Sequence, residues 1–76
     1  MSEGFAIEYN GYIDVRTVSP TQQTAKVNGL GLYYDTIVTP LHTPENIDEL
    51  WRIRDTLKPH VFPVELIAVN IEKQIN

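Results

Sequence analysis

Apolar and polar positions alternate with two different periods along this chain. From Thr43 to Pro59 the period is that of a helix: Ile47, Leu50, Trp51, Ile53 and Leu57 share one stripe, with Glu45, Asp48, Glu49, Arg52 and Asp55 opposite. Thr43 is the expected cap, Pro44 suits the first helical position, and Lys58-Pro59 closes the run. Arg54 falls inside the apolar arc, where its stem packs and its head reaches water or a carboxylate. Residues 61–71 follow, with Val61, Ile67, Val69 and Ile71 on one face and Phe62, Val64, Leu66 and Ala68 on the other. That pattern predicts a central strand covered on both sides, with Glu65 near a rim.

Residues 5–18 predict a β-hairpin around Asn10-Gly11. A two-residue turn would set Ile7 opposite Asp14 and mix the faces. A three-residue loop, Tyr9-Asn10-Gly11, sets Ile7 opposite Ile13 and Phe5 opposite Val15, and is the expected form. Ser19-Pro20-Thr21-Gln22 predicts a second helix start, with Ser19 as cap, Pro20 as first helical residue and Gln22 in a capping box. The helix is short, with Ala25, Val27 and Leu30 as apolar contacts, and Asn28-Gly29 is its expected stop. The alternative is a helix continuing through Gly31, because Val27, Leu30 and Tyr34 share a helical face. Two glycines weigh against it at about 1 kcal/mol each. Residues 32–39 predict a strand ended by Pro40.

The expected architecture is a single α+β domain of order ββαβαβ. It is a mixed four-stranded sheet with an N-terminal hairpin, a right-handed parallel crossover and both helices on one face. The tail 72–76 is expected to fray. A last strand apolar on both faces then needs a second cover, from a homodimer or another protein.

At 76 residues with no cysteine, neither disulfides nor thiolate–zinc sites are available. No apolar run reaches the ~20 residues of a membrane span, and Met1-Ser2-Glu3-Gly4 has no secretory signature. A cytoplasmic setting is expected. The net charge of −4, with scattered Lys and Arg, lacks the basic footprint of direct nucleic-acid binding.

Candidate chemistry reduces to structural explanations. His42 and His60 bracket the long helix, too far apart for a shared metal. Ser19 is explained by capping. Glu8, Asp14 and Glu65 form no buried acid–base pair. Gly29-Leu30-Gly31 follows a helix and lacks the Lys-Ser/Thr of a phosphate loop. No catalytic residue, cofactor, metal or small-molecule substrate is assigned.

The stretch from Gly11 to Thr21, GYIDVRTVSPT, resembles the opening of small proteins carried by phages and prophages. The resemblance implies an accessory protein acting inside a bacterial host cell. It carries over no functional residues.

The expected function is that of a small non-enzymatic protein-interaction module that binds a host protein or itself. The candidate surface is Tyr9 and Tyr12 at the hairpin tip, Tyr33 or Tyr34, and Trp51. Two alternatives are an anti-CRISPR-like inhibitor of a host defence nuclease, presenting Glu45, Asp48, Glu49 and Asp55 to a basic groove, and a self-assembling structural component of a phage.

Overall fold

The computed structural model describes residues 2–71. Strands β1 (Ser2–Tyr9) and β2 (Tyr12–Ser19) form the hairpin. Its turn has two residues, with Tyr9 opposite Tyr12, and both Asn10 (φ 52°) and Gly11 (φ 80°) take the left-handed backbone that a tight hairpin turn requires. The three-residue loop is thereby corrected, and Ile7 does lie opposite Asp14. The mixed faces are resolved further along. The next matched pair is Phe5 with Ser19, so β2 carries three more residues than β1 across this interval. The Ile7 N–H, displaced from the ladder, donates to Thr17 Oγ1 at 2.7 Å, and the Thr17 hydroxyl donates to the Asp14 carbonyl at 2.6 Å. Thr17 is fully buried, and its hydroxyl satisfies backbone groups that the bulge leaves open.

Strand β3 (Val64–Ile71) pairs antiparallel with β1 in unbroken register, from Ser2–Ile71 to Tyr9–Val64. Among the described residues the sheet has three strands, in the order β2-β1-β3. This corrects the expected four-stranded sheet. It also makes β1 the central strand and β3 an edge.

Helix α1 (Gln22–Tyr34) is capped by Thr21, whose side chain accepts from the Thr24 N–H, instead of by Ser19, which ends β2. The helix passes through Gly29 and Gly31 and stops at Asp35, which is left-handed (φ 52°). Residues 32–34 therefore belong to α1, residues 35–39 have no regular structure, and the expected strand over 32–39 is absent. Burial explains the outcome. Ala25, Gly29, Leu30 and Tyr34 are buried at helical spacing, and packing of such a stripe outweighs local propensity. A Cβ at Gly29 would stand 2.9 Å from Ile7 Cγ1 and 3.1 Å from Trp51 Cζ3, so Gly29 is the point of closest approach and not a stop.

Helix α2 (Pro44–Arg52) opens with the expected Thr43 cap, a reciprocal capping box in which Asn46 answers Thr43. A short helix α3 (Arg54–Leu57) continues it beyond Ile53. The order is thus ββαααβ in place of ββαβαβ. The Arg54 head meets backbone carbonyls and an aromatic ring instead of a carboxylate. Its guanidinium lies 4.4 Å from the Trp51 ring centroid, forks onto the Val64 carbonyl at 3.1 and 3.0 Å, and donates to the Trp51 carbonyl at 2.7 Å. This ties the α2–α3 corner to the start of β3.

The core is Ile7, Leu30, Tyr34, Ile47, Trp51 and Val64, between the helices and one face of the sheet. Cross-strand partners share a face. Ile7 and Leu66, with Tyr9 and Val64, face the helices. Ile13, Glu8 and Glu65 therefore point the other way, as do Ile67, Val69 and Ile71. None of these belongs to the core cluster or to the side chains packed on it.

Candidate interaction surfaces

Three surfaces concentrate the residues that carry recognition chemistry. The first is where the hairpin tip, the end of α1 and the loop before β3 meet. Tyr9 is its hub, with ring centroids 5.5 Å from Tyr33, 5.5 Å from His60 and 5.8 Å from Phe62. Tyr34 lies 5.0 Å from His60. The edge-on and tilted arrangements suit the ring quadrupoles. His60 Nε2 donates to the Tyr33 carbonyl at 2.6 Å, occupying a carbonyl in the last turn of α1.

The Tyr33 hydroxyl donates to Asp14 Oδ2 at 2.8 Å, and Arg16 grips the same carboxylate through Nε at 3.0 Å and Nη2 at 2.7 Å. The Asp14 side chain is only 9 % exposed. The Arg16 hydrogen bonds hold its carboxyl well below the usual carboxylate range, against the opposing cost of burial and with help from the Tyr33 hydroxyl. Burial, followed by the bond to Asp14, pushes the Tyr33 phenol up. Burial, and then the charge of Asp55, pushes Tyr34 up to about 12.

Of the candidate aromatic set, Tyr34 and Trp51 are thus core residues, and Tyr9 and Tyr33 pack against the core with part of their surface open. Only Tyr12 is prominently exposed. Tyr9, Tyr33 and Tyr34 are brought together; Tyr12 and Trp51 stand outside that cluster.

The second surface is the acidic face of α2 and α3. Glu45, Asp48, Glu49 and Asp55 are all exposed. Lys26 reaches Asp48 at 3.0 Å, Arg52 pairs with Glu49, and Asp55 accepts from the Tyr34 hydroxyl at 3.3 Å. The Arg52 hydrogen bond lowers the Glu49 pKa. Among the described residues Glu45 alone of the four has no such partner. The face is largely answered from within the chain, which weakens its field.

The third surface is the face of the sheet turned away from the helices. Ile67, Val69 and Ile71 line it on β3, and Ile71 lies over Gly4, where a Cβ would meet its side chain. Ile13 is 47 % exposed, and Val15, in the bulged stretch of β2, is 79 % exposed. Glu8 and Glu65 are direct cross-strand partners at one end. The earlier candidate set contains none of these residues. Their signal was the doubly apolar last strand.

Among the described residues no group of three or more His, Asp or Glu could hold a metal, and no helix is long and apolar enough to cross a membrane. His42 serves its own loop, its Nδ1 accepting from the Thr39 N–H at 3.0 Å. No protein-family model, curated protein or solved structure matches the chain.

Proposed function

We propose that this chain is a protein-interaction domain whose docking element is the bare face of its sheet. The observation that carries the reading is the placement of Ile13, Ile67, Val69 and Ile71 on a face with no covering layer among the described residues. An antiparallel sheet with one solvated face ordinarily alternates apolar-in with polar-out. Here the outward series on β3 is apolar after Glu65. Ile13 is exposed and Ile67, Val69 and Ile71 are half-buried, and apolar surface left open to solvent marks a site of association.

The charge at the end of that face narrows the partner. Glu8 and Glu65 sit directly opposite each other, an arrangement that destabilises a sheet by a few tenths of a kcal/mol to ~1 kcal/mol. A Lys or Arg from a partner would relieve it. The partner surface is therefore apolar with a basic residue at one side.

The test compares capture by the immobilised chain with capture by Ile67→Lys and by Glu45→Lys. The reading expects Ile67→Lys to lose the retained protein and Glu45→Lys to keep it. A folded Ile67→Lys variant that retains everything the parent retains would sink it.

A further inference from the structure

The two edges of this sheet are not alike. β2 is shielded by its bulge between Asp14 and Ser19, which breaks the ladder, and by the Asp14–Arg16 pair seated there. β3 is covered only at its start, where Arg54 holds the Val64 carbonyl. Its eight residues hold an unbroken register with β1 and contain no Pro, no Lys and no Arg. Its single charge, Glu65, lies next to its start. Backbone bonds of β3 are taken up by β1 on one side. On the other side the order β2-β1-β3 supplies no neighbouring strand among the described residues.

We propose that the outer edge of β3 pairs antiparallel with β3 of a second copy, joining two sheets into one of six strands. Three features select a second copy as occupant. First, a two-fold axis perpendicular to the sheet sets one residue opposite itself. An axis at Ala68 pairs residues 65–71, and one at Ile67 pairs residues 64–70, seven residues of each strand either way. Seven opposed pairs in an antiparallel ladder carry about 6–8 backbone hydrogen bonds, within the range of stable interfaces.

Second, the charges fit this direction only. Antiparallel pairing separates the two Glu65 carboxylates by roughly 14–20 Å along the strands, beyond the ~8 Å screening length. A parallel pair in register would set them side by side. Third, the match of apolar side chains is self-complementary. With the axis at Ala68, Ile67 of each copy faces Val69 of the other. With the axis at Ile67, the two Ile67 side chains meet. Both arrangements keep the bare faces on the same side, so the dimer presents one continuous apolar surface. The pairing uses the strand edge and the proposed function uses the sheet face, so either can hold without the other.

The absence of cysteine makes the test clean. Ala68 is exposed, so Ala68→Cys leaves the core untouched. Ile67→Cys probes the other axis position, and Val15→Cys on β2 is the control edge. Opposed residues of an antiparallel pair have Cα atoms about 4.5–5.5 Å apart, within disulfide reach. The proposal expects the unmodified chain to sediment as a dimer at tens of micromolar. Mild oxidation should link Ala68→Cys or Ile67→Cys at least tenfold faster than Val15→Cys.

A chain that remains monomeric at 200 µM or so overturns the pairing, as does a dimer in which neither β3 cysteine cross-links, or one in which Val15→Cys links equally fast. A monomer whose captured protein is still lost on Ile67→Lys would defeat the pairing alone. A cross-linked dimer whose Ile67→Lys variant still captures the partner would defeat the docking face alone.

Discussion

Gly29 lies against Ile7 so closely that a Cβ would stand 2.9 Å from Ile7 Cγ1. Helix α1 crosses β1 at this contact, and Trp51 of α2 reaches the same place. Gly31, two residues on, has open space where a side chain would go. Gly29→Ala and Gly31→Ala should therefore differ in sign. At Gly31 the gain in helix propensity, up to about 1 kcal/mol, is realised in full. At Gly29 it is offset by overpacking that costs ~1–3 kcal/mol. Thermal melts should show Gly31→Ala several degrees higher than the parent and Gly29→Ala at or below it.

The Asp14 carboxylate links the hairpin to α1 through Tyr33. Its folded-state pKa is depressed, so the unfolded chain binds more protons in acid. The corresponding stability is fully present above the unfolded carboxylate value of about 3.9 and is lost as pH falls below it. Asp14→Asn should lower stability at pH 7 by about 1–3 kcal/mol and flatten its decline below pH ~4. Urea midpoints at neutral pH and at pH ~3 measure both effects.

Tyr34 has the opposite sign. Its pKa is raised to about 12 by burial and by Asp55. The associated stability is present below the ordinary tyrosine value of ~10 and is lost as pH rises through the folded value. A titration of phenolate absorbance should contain a late phase near pH 12 that Tyr34→Phe removes. Its persistence in the variant would reject the assignment.

Arg54 holds the α2–α3 corner to β3 through the Val64 carbonyl and the Trp51 ring. Lysine keeps the charge but loses the fork and the planar stack. Arg54→Lys should cost about 1–3 kcal/mol, read as a lower denaturation midpoint with unchanged slope.

Local chemistry was the legible part of this chain. Thr43, Pro44 and Asn46 lie together in sequence, and the start of α2 follows from them alone. Asn10-Gly11 marked the turn for the same reason. The loop length was misread because strict alternation was assumed through β2. Thr17 breaks it by binding the Ile7 N–H ten residues away, a contact with no local signal. Gly29 and Gly31 read as stops because propensity counts only the helix, whereas the partners that make Gly29 necessary are Ile7 and Trp51. With α1 carried to Tyr34, Tyr33 and Tyr34 became helical despite their strand preference, and the fourth strand disappeared. The aromatic residues were recognised as a set, but composition cannot separate a core tyrosine such as Tyr34 from an exposed one such as Tyr12. The bare sheet face was visible only as a strand apolar on both sides; its position at the edge needed the strand order.

The most direct measurement is a methyl spectrum of isoleucine-labelled protein, recorded as the captured partner is added. Ile13, Ile67 and Ile71 lie on the sheet face turned from the helices, and Ile37, 80 % exposed, lies in the loop after α1. The account predicts that the first three shift together while Ile37 keeps its resonance. A partner that shifts Ile37 and leaves Ile13, Ile67 and Ile71 in place would contradict it.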